Sequence, residues 1–496
     1  MIDMQVKPEA VEVATATAPA SRALVELEGR IAVVLLSFLL ALVVAVFLSS
    51  ESQRAVAVPA LVILFSFFLF CVMLDGRVKS GIFGEVGVIF SGFVVAYSVI
   101  PALNFLILNF HFPLNFDALN FAVLNPRPEE LGTHLWRHCL FAVTVMAAYL
   151  LARGGHGEAS PDVGSTRVDN WVVAAVVAMV LICVGAISLL SAPVEDYYGH
   201  YTRFDALSPW MRRFAFLCLI LKGGGYYVAL TLMFSDYRRF RVPIVLFVFF
   251  IVAYELSYSL GSRIETLSIL LAVACLYHFN VARIGFRQGL LYLGVLLVLF
   301  TAVEFYRTAE FDIQAALRDF SERGLSIATE FGAVFYTSFH LYVERSNGTL
   351  PEREWLMLFN DFFTAVPFFE HTQFNSQYWY ARQYFPDSAV PPQTMGPIAD
   401  SAIWGGEGDL AVRGLLTGMG FGLLARWALG RRTRLLRNVA YVFVFATCVI
   451  ALKYSLIYQV SQMFRALAPA LLVAYFMIRL QRAVRPESNC RRSPSG

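Results

Sequence analysis

Long apolar runs recur along almost the whole chain, and they restrict its fold more than any other feature. Crossing the hydrocarbon core of a bilayer takes about 20 mostly apolar residues. Twelve segments match or approach that length: 31–48, 56–74, 82–101, 135–151, 171–191, 213–234, 242–260, 263–279, 289–305, 409–426, 438–457 and 462–478. The eighth is short and begins directly after Gly261-Ser262-Arg263. The stretch 103–124 is also apolar, but Asn104, Asn109, His111, Pro113, Asn115 and Asp117 interrupt it, so it reads as an interfacial or re-entrant piece. The expected fold is an all-α polytopic integral membrane protein of about twelve transmembrane helices. A mean hydropathy of +0.62 agrees with this.

Lys and Arg near the ends of apolar runs mark the cytoplasmic side. With the N-terminus inside, 22 of the 39 basic residues fall on that side. The densest groups are Arg426, Arg431, Arg432, Arg434 and Arg437, then Arg479, Arg482, Arg485, Arg491 and Arg492. Twelve spans leave both termini cytoplasmic. The chain then divides into a disordered N-terminus (1–30), spans one to nine (31–306), a large periplasmic loop (307–397), spans ten to twelve (398–478) and a basic tail (479–496). The net charge of +3 follows from this topology and is no argument for nucleic acid. The seven cysteines fall in spans or the tail, with no CxxC spacing, so no disulfide framework is implied. Residues 1–30 lack the pattern of a cleavable signal.

The loop is the one long polar segment. Phe311, Leu317, Phe320, Leu325, Ile327, Phe331, Phe335 and Phe339 recur at near-helical spacing and predict one or two helices over 311–345. Residues 352–366 predict another amphipathic helix, stopped by Pro367. Tyr378, Trp379, Tyr380 and Arg382 follow, among amides. Such a set suits sugar binding, since rings offer apolar faces and amides offer paired hydrogen bonds. It suits a belt at lipid headgroups equally well.

An ionisable residue at mid-bilayer costs about 2.5–3.5 kcal/mol on insertion scales. Most such residues here lie toward the loop side: Lys222, Glu255, Arg263, Glu265, Glu304, Arg307, Asp400, Glu407, Asp409, Arg413, Lys453 and Arg465. Glu85 is the exception. Lys222 lies too deep to reach water alone, and Glu255 is its expected partner. Single charges at span ends are accounted for by snorkelling. Their collection at one face predicts a water-filled cavity open to that side. Gly414, Gly418 and Gly422 form a small-xxx-small face for close helix packing.

The sequence has no Walker loop, no dinucleotide fingerprint, no HExxH, no GxSxG and no DxD. Its eight histidines lack ligand spacing, so neither a metal nor another cofactor is expected. Chemistry on this chain then needs a substrate that arrives already activated.

Two stretches carry a family resemblance. Gly261-Ser-Arg263-Ile-Glu-Thr-Leu opens the eighth span, and Thr394-Met-Gly396-Pro-Ile-Ala-Asp400-Ser-Ala-Ile-Trp-Gly405-Gly follows the loop. With the overall plan of spans, cytoplasmic ends and one late loop, they resemble the Wzy-type oligosaccharide repeat-unit polymerases of bacterial surface polysaccharides. That family often has Glu where Asp400 stands and Phe-Gly where Trp404-Gly405 stands. The resemblance implies a glycosyltransferase of the bacterial inner membrane acting at its outer leaflet in O-antigen or exopolysaccharide biosynthesis. Its substrates would be polyprenyl-pyrophosphate-linked oligosaccharides among membrane lipids, and its partners chain-length regulator and flippase proteins. The leaving pyrophosphate needs cations, for which Arg263 and Arg307 are first choices and Arg203 and Arg382 second. Tyr378, Trp379 and Tyr380 are candidate sugar contacts. Asp400, His371, Glu330 and Glu304 are candidate bases for the acceptor hydroxyl. An O-antigen ligase shares this plan and differs in its acceptor. A secondary transporter or lipid-linked glycan flippase is the other alternative, but it calls for an internal repeat and midplane charges, and neither is found.

Arg263→Ala and Arg307→Ala are each expected to abolish polymer synthesis while the protein stays in the membrane. A wild-type glycan ladder from both variants would remove these two arginines from the site.

Overall fold

A computed structural model describes residues 30–43, 45, 50–75, 84–107, 127–154, 169–191, 204, 207–258, 263–284, 288–289, 291–292, 294–295, 314, 328–363, 376–384, 395–429 and 434–484. No strand occurs among the described residues. The helices are α1 (Arg30–Val43), α2 (Glu51–Asp75), α3 (Val86–Ile107), α4 (Pro128–Arg153), α5 (Asn170–Leu190), α6 (Pro209–Ser235), α7 (Tyr237–Tyr258) and α8 (Arg263–Asn280). They continue with α9 (Ala328–Asn347), α10 (Leu356–Phe363), α11 (Ser376–Tyr384), α12 (Pro397–Trp404), α13 (Glu407–Leu429), α14 (Arg434–Ile450) and α15 (Leu456–Val484).

Among the described residues, six helices are long and apolar enough to cross a membrane, within α2 to α7. Their large side chains stay apolar where they face outward: Leu151 is 82% exposed and Leu189 88%. That pattern fits a lipid surround and not water. The protein is an all-α, membrane-embedded chain.

Helix α4 is the centre of the arrangement. Pro128 starts it, where a missing N–H costs nothing. Glu129 and Glu130 sit in its first turn and Arg153 in its last, each with the sign that the helix dipole favours. Helix α2 packs on one side of α4, with the Phe70 and Tyr149 rings 5.9 Å apart. Helix α13 packs on another side through the predicted glycine face. A Cβ at Gly414 would strike Thr144, one at Gly418 the Val145 carbonyl, and one at Gly422 would lie 2.8 Å from the Ala152 methyl. Residue numbers rise together along this seam, so α4 and α13 run parallel. An odd number of crossings between them is what a parallel pair requires.

Charges inside the bundle are paired. Lys222 on α6 donates to Glu255 on α7 at 2.7 Å, and the Tyr226 hydroxyl donates to the same oxygen at 3.0 Å. The Tyr254 ring centroid lies 5.1 Å from the ammonium. Glu85 accepts from Arg153 at two positions, 3.2 Å each, and from the Tyr149 hydroxyl at 2.7 Å.

Residues 451–455 separate α14 from α15. The apolar run 438–457 suggests an unbroken helix there, yet α14 stops at Ile450 and places Lys453 in a buried turn. The carbonyls freed by the break are taken up by Gln459, whose amide donates to Ala451 and, at 2.7 Å, to Tyr454. Ser455 then caps α15 by accepting from the Tyr458 backbone at 3.2 Å.

In the predicted loop, α9 ends at Asn347 as a helix over 311–345 suggests, and it packs against α3 and α12. The amphipathic segment 352–366 forms a helix only from Leu356.

Gly418→Ala is expected to lower stability by about 1–3 kcal/mol, because the seam has no room for a methyl. Gly420 meets nothing within 4 Å, so Gly420→Ala is expected to be neutral or to stabilise by up to about 1 kcal/mol. Thermal unfolding of the two variants in detergent micelles separates them.

Candidate functional site

The second resemblance stretch folds as a helix, a tight turn and a second helix. Gly396 precedes α12 in extended conformation, and Pro397 opens the helix. A Cβ on Gly396 would collide with the Leu452 carbonyl, so the break at 451–455 and the start of α12 fit only around a glycine. Helix α12 ends at Gly405-Gly406. Gly406 adopts φ +66 and donates its N–H to the Ser401 carbonyl at 2.7 Å. Its Cα faces the Arg345 guanidinium, which also donates to the Ala402 carbonyl at 2.8 Å. Helix α13 starts at once, with Leu410 N–H bonded to the Gly406 carbonyl at 2.9 Å.

This turn brings together residues that are 13 apart. Arg413, one turn and a half into α13, donates through Nη1 to Asp400 and through Nε to Asp409 at 2.6 Å. The Trp404 indole donates to the other Asp400 oxygen at 3.1 Å. Asp400 and Arg413 are buried, whereas the Asp409 side chain keeps 24% of its exposure. Burial pushes the Asp400 carboxyl up to about 7, against the pull of Arg413 and with help from the nearby Asp361 and Asp409. Asp361 is likewise raised by burial, and its bonds from Ser376 and Ser455 hold it back.

A cavity of about 500 Å³ opens on this cluster. Arg353, Trp355, Leu358, Trp404, Gly405, Asp409 and Arg413 line it. The Trp355 and Trp404 rings lie 5.1 Å apart at 35°. The Arg353 guanidinium stands 5.6 Å from the Trp404 centroid. Behind the cavity wall, Arg137 of α4 pairs with Glu407 at 3.0 Å and stacks over the Tyr342 ring at 4.3 Å. Tyr342 in turn bonds Ser401 at 2.9 Å. The site is thus two guanidinium groups, one accessible carboxylate and an aromatic wall, able to receive a polar ring that carries negative charge.

Of the residues singled out by sequence, Asp400 belongs to this cluster, directly behind Arg413. Trp379 and Tyr380 are buried instead: the Trp379 indole donates to the Glu352 carbonyl at 3.2 Å, and the Tyr380 hydroxyl meets His340 at 3.1 Å. They steady α11 and do not line the cavity. Arg382 is exposed. Arg263 opens α8, Glu330 lies on α9 and Tyr378 on α11, but their side chains are outside the described set, as are His371, Glu304, Arg307 and Arg203 altogether.

Sequence reasoning did not reach Arg353, Trp355 and Trp404 as cavity residues. The spacing of Asp400 to Trp404 and of Asp409 to Arg413, four residues each, was a readable signal. Nothing local points to Arg353 or Trp355.

A second buried constellation lies nearby, where α3, α4 and α9 meet. The Ser98 hydroxyl bonds the Val94 carbonyl, so His138 Nδ1–H must donate to Ser98 Oγ at 2.8 Å. His138 Nε2 is then an acceptor, and His134 Nε2–H points at it and at Ser338 Oγ, 3.2 and 2.9 Å away. His138 is therefore a neutral imidazole with its proton on Nδ1. Phe335 packs 4.9 Å from each ring, which ties α9 to α4.

No family model matches the chain, and no curated protein or solved structure matches it either.

Arg413→Met is expected to cost about 3–5 kcal/mol, since it leaves Asp400 buried without its cation. Combining it with Asp400→Asn should recover a large part of that loss. Equal thermal stability of the single and double variants would show the pair to be uncoupled.

Proposed function

We propose that this membrane protein polymerises polyprenyl-pyrophosphate-linked oligosaccharide repeat units at the outer leaflet of the bacterial inner membrane, in surface polysaccharide biosynthesis. The observation that carries this reading is the cavity beside α12 and α13, where Arg353, Arg413 and Asp409 converge on a tryptophan wall. The glycine-rich segment that resembles the polymerase family builds one side of it.

In the reaction, the acceptor hydroxyl attacks the anomeric carbon of the donor chain. The new glycosidic C–O bond forms as the bond to the pyrophosphate oxygen breaks, and the hydroxyl proton passes to a base. Arg413 and Arg353 are suited to the leaving pyrophosphate, because a guanidinium fork meets two phosphate oxygens at once. Asp409 is the carboxylate that lines the cavity, and it stands in place to take the proton. Trp355 and Trp404 offer apolar faces to a pyranose ring. Asp400 acts through Arg413 as a positioning residue. When ionised it holds the Arg413 guanidinium as an ion pair, and when protonated it loses the negative charge that does so.

A ligase that moves a finished glycan to another acceptor would use the same parts. Cells lacking the protein distinguish these readings. Collapse of the long glycan ladder to one repeat unit, with transfer to the final acceptor intact, is the polymerase outcome. Full-length polymer stranded on its polyprenyl carrier would indicate a ligase, and single units trapped on the cytoplasmic side a flippase.

Because Asp400 is held up near 7 by burial, its clamp is present above that pH and lost below it. Transfer by the purified enzyme is expected to rise with pH through about 7. Asp400→Asn should remove that inflection and lower the plateau by about tenfold or more. An unchanged profile would take Asp400 out of the site.

A further inference from the structure

Helix α10 reverses the usual amphipathic arrangement. Trp355, Leu356, Phe359, Phe362 and Phe363 are all exposed, Trp355 by 72% and Phe359 by 61%. At 100° per residue these positions occupy an arc of about 120°. The opposite side buries Met357 and the helix's one acid, Asp361. Asp361 accepts from the Ser376 backbone at 3.3 Å, from the Ser376 hydroxyl at 2.6 Å and from the Ser455 hydroxyl at 2.7 Å. These three bonds fix the rotation of α10, so its apolar face points outward by construction. A cap helix bathed in water would do the opposite and turn that face inward.

The surroundings say what covers the face. Helix α10 packs on α15 and is bonded through Asp361 to Ser455 at its start, and the first turns of α15 also expose the apolar Val460 and, by 65%, Phe464. That surface belongs to a membrane-embedded chain. Glu352, Arg353 and Glu354 stand just before the helix, and Trp355 sits at the border, as interfacial helices place charge and tryptophan at headgroup depth.

We propose that α10 lies in the plane of the bilayer interface, with Trp355, Leu356, Phe359 and Phe362 in contact with phospholipid acyl chains. Trp355 and Leu358 also line the cavity, so the cavity mouth opens beside the lipid headgroups. Lipid contact by α10 stands whether or not the cavity transfers glycans.

Nitroxide labels on Phe359→Cys, Phe362→Cys and Glu354→Cys test this. The full chain, with its native cysteines replaced, is reconstituted into phosphatidylethanolamine–phosphatidylglycerol vesicles. Relative to residue 354, labels at 359 and 362 should show a ratio of oxygen to aqueous nickel-complex collisions at least about threefold higher. A ratio equal to that at 354 would mean a water-facing helix and overturn the proposal. Low collision with both reagents would mean a face covered by protein, a second copy included, and would overturn it too. Should the cysteine-free chain fail to fold, the difference in fluorescence between wild type and Trp355→Phe serves instead. Brominated phospholipid should quench the Trp355 component at least about twice as strongly as acrylamide does. Stronger quenching by acrylamide would refute lipid contact.

Discussion

The close approach of α13 to α4 governs the geometry of the site. Three glycines four residues apart let the α13 backbone lie directly against the Thr144 side chain and the Val145 carbonyl. Arg413 immediately precedes the first of these glycines, so the seam fixes where its guanidinium stands. At the first residue of α13, Glu407 is held by Arg137, which pins the start of the helix to α4. In lipid no hydrophobic force draws helices together, and packing of this kind takes its place. Loosen the seam and Arg413, Asp409 and the turn at Gly405-Gly406 lose their common reference.

Three buried ion pairs among the described residues share one pattern. Glu85 with Arg153, Lys222 with Glu255, and Asp400 with Arg413 each set one cation against one carboxylate, with a tyrosine or tryptophan donor completing the acceptor's bonds. The first two are closed pairs whose needs are met inside the membrane. The third differs because Asp409 adds a second carboxylate that reaches the cavity. That second carboxylate leaves part of the third cluster open to the cavity, whereas the first two pairs are enclosed.

Much of this was legible in the sequence, for identifiable reasons. Helix identity follows from run length, and α8 begins at Arg263 as the Gly-Ser-Arg boundary suggests. The partnership of Lys222 with Glu255 follows from the cost of leaving either charge alone in lipid. The glycine face follows from its period. The break at 451–455 was not legible, because it contains no glycine or proline. Its cause is tertiary: the Leu452 carbonyl must accommodate Gly396, more than fifty residues away in the chain. Arg353 and Trp355 were illegible for the same reason. They belong to the site only because α10 is tethered through Asp361 to Ser455. Twelve spans remain an expectation, with six long apolar helices established among the described residues.

The parallel alignment of α4 and α13 bears on how such a protein is made. Parallel helices cannot be joined by a short turn, and Arg137 meets Glu407 across 270 residues. A ribosome emits α4 long before α13 exists, so the surface formed by Phe141, Thr144, Val145 and Ala148 must wait in lipid or against a temporary neighbour. Contacts this distant in sequence form late and slowly. The cavity is therefore among the last parts of the molecule to exist, and a chain halted before its final third holds the scaffold of the site without any residue that lines it.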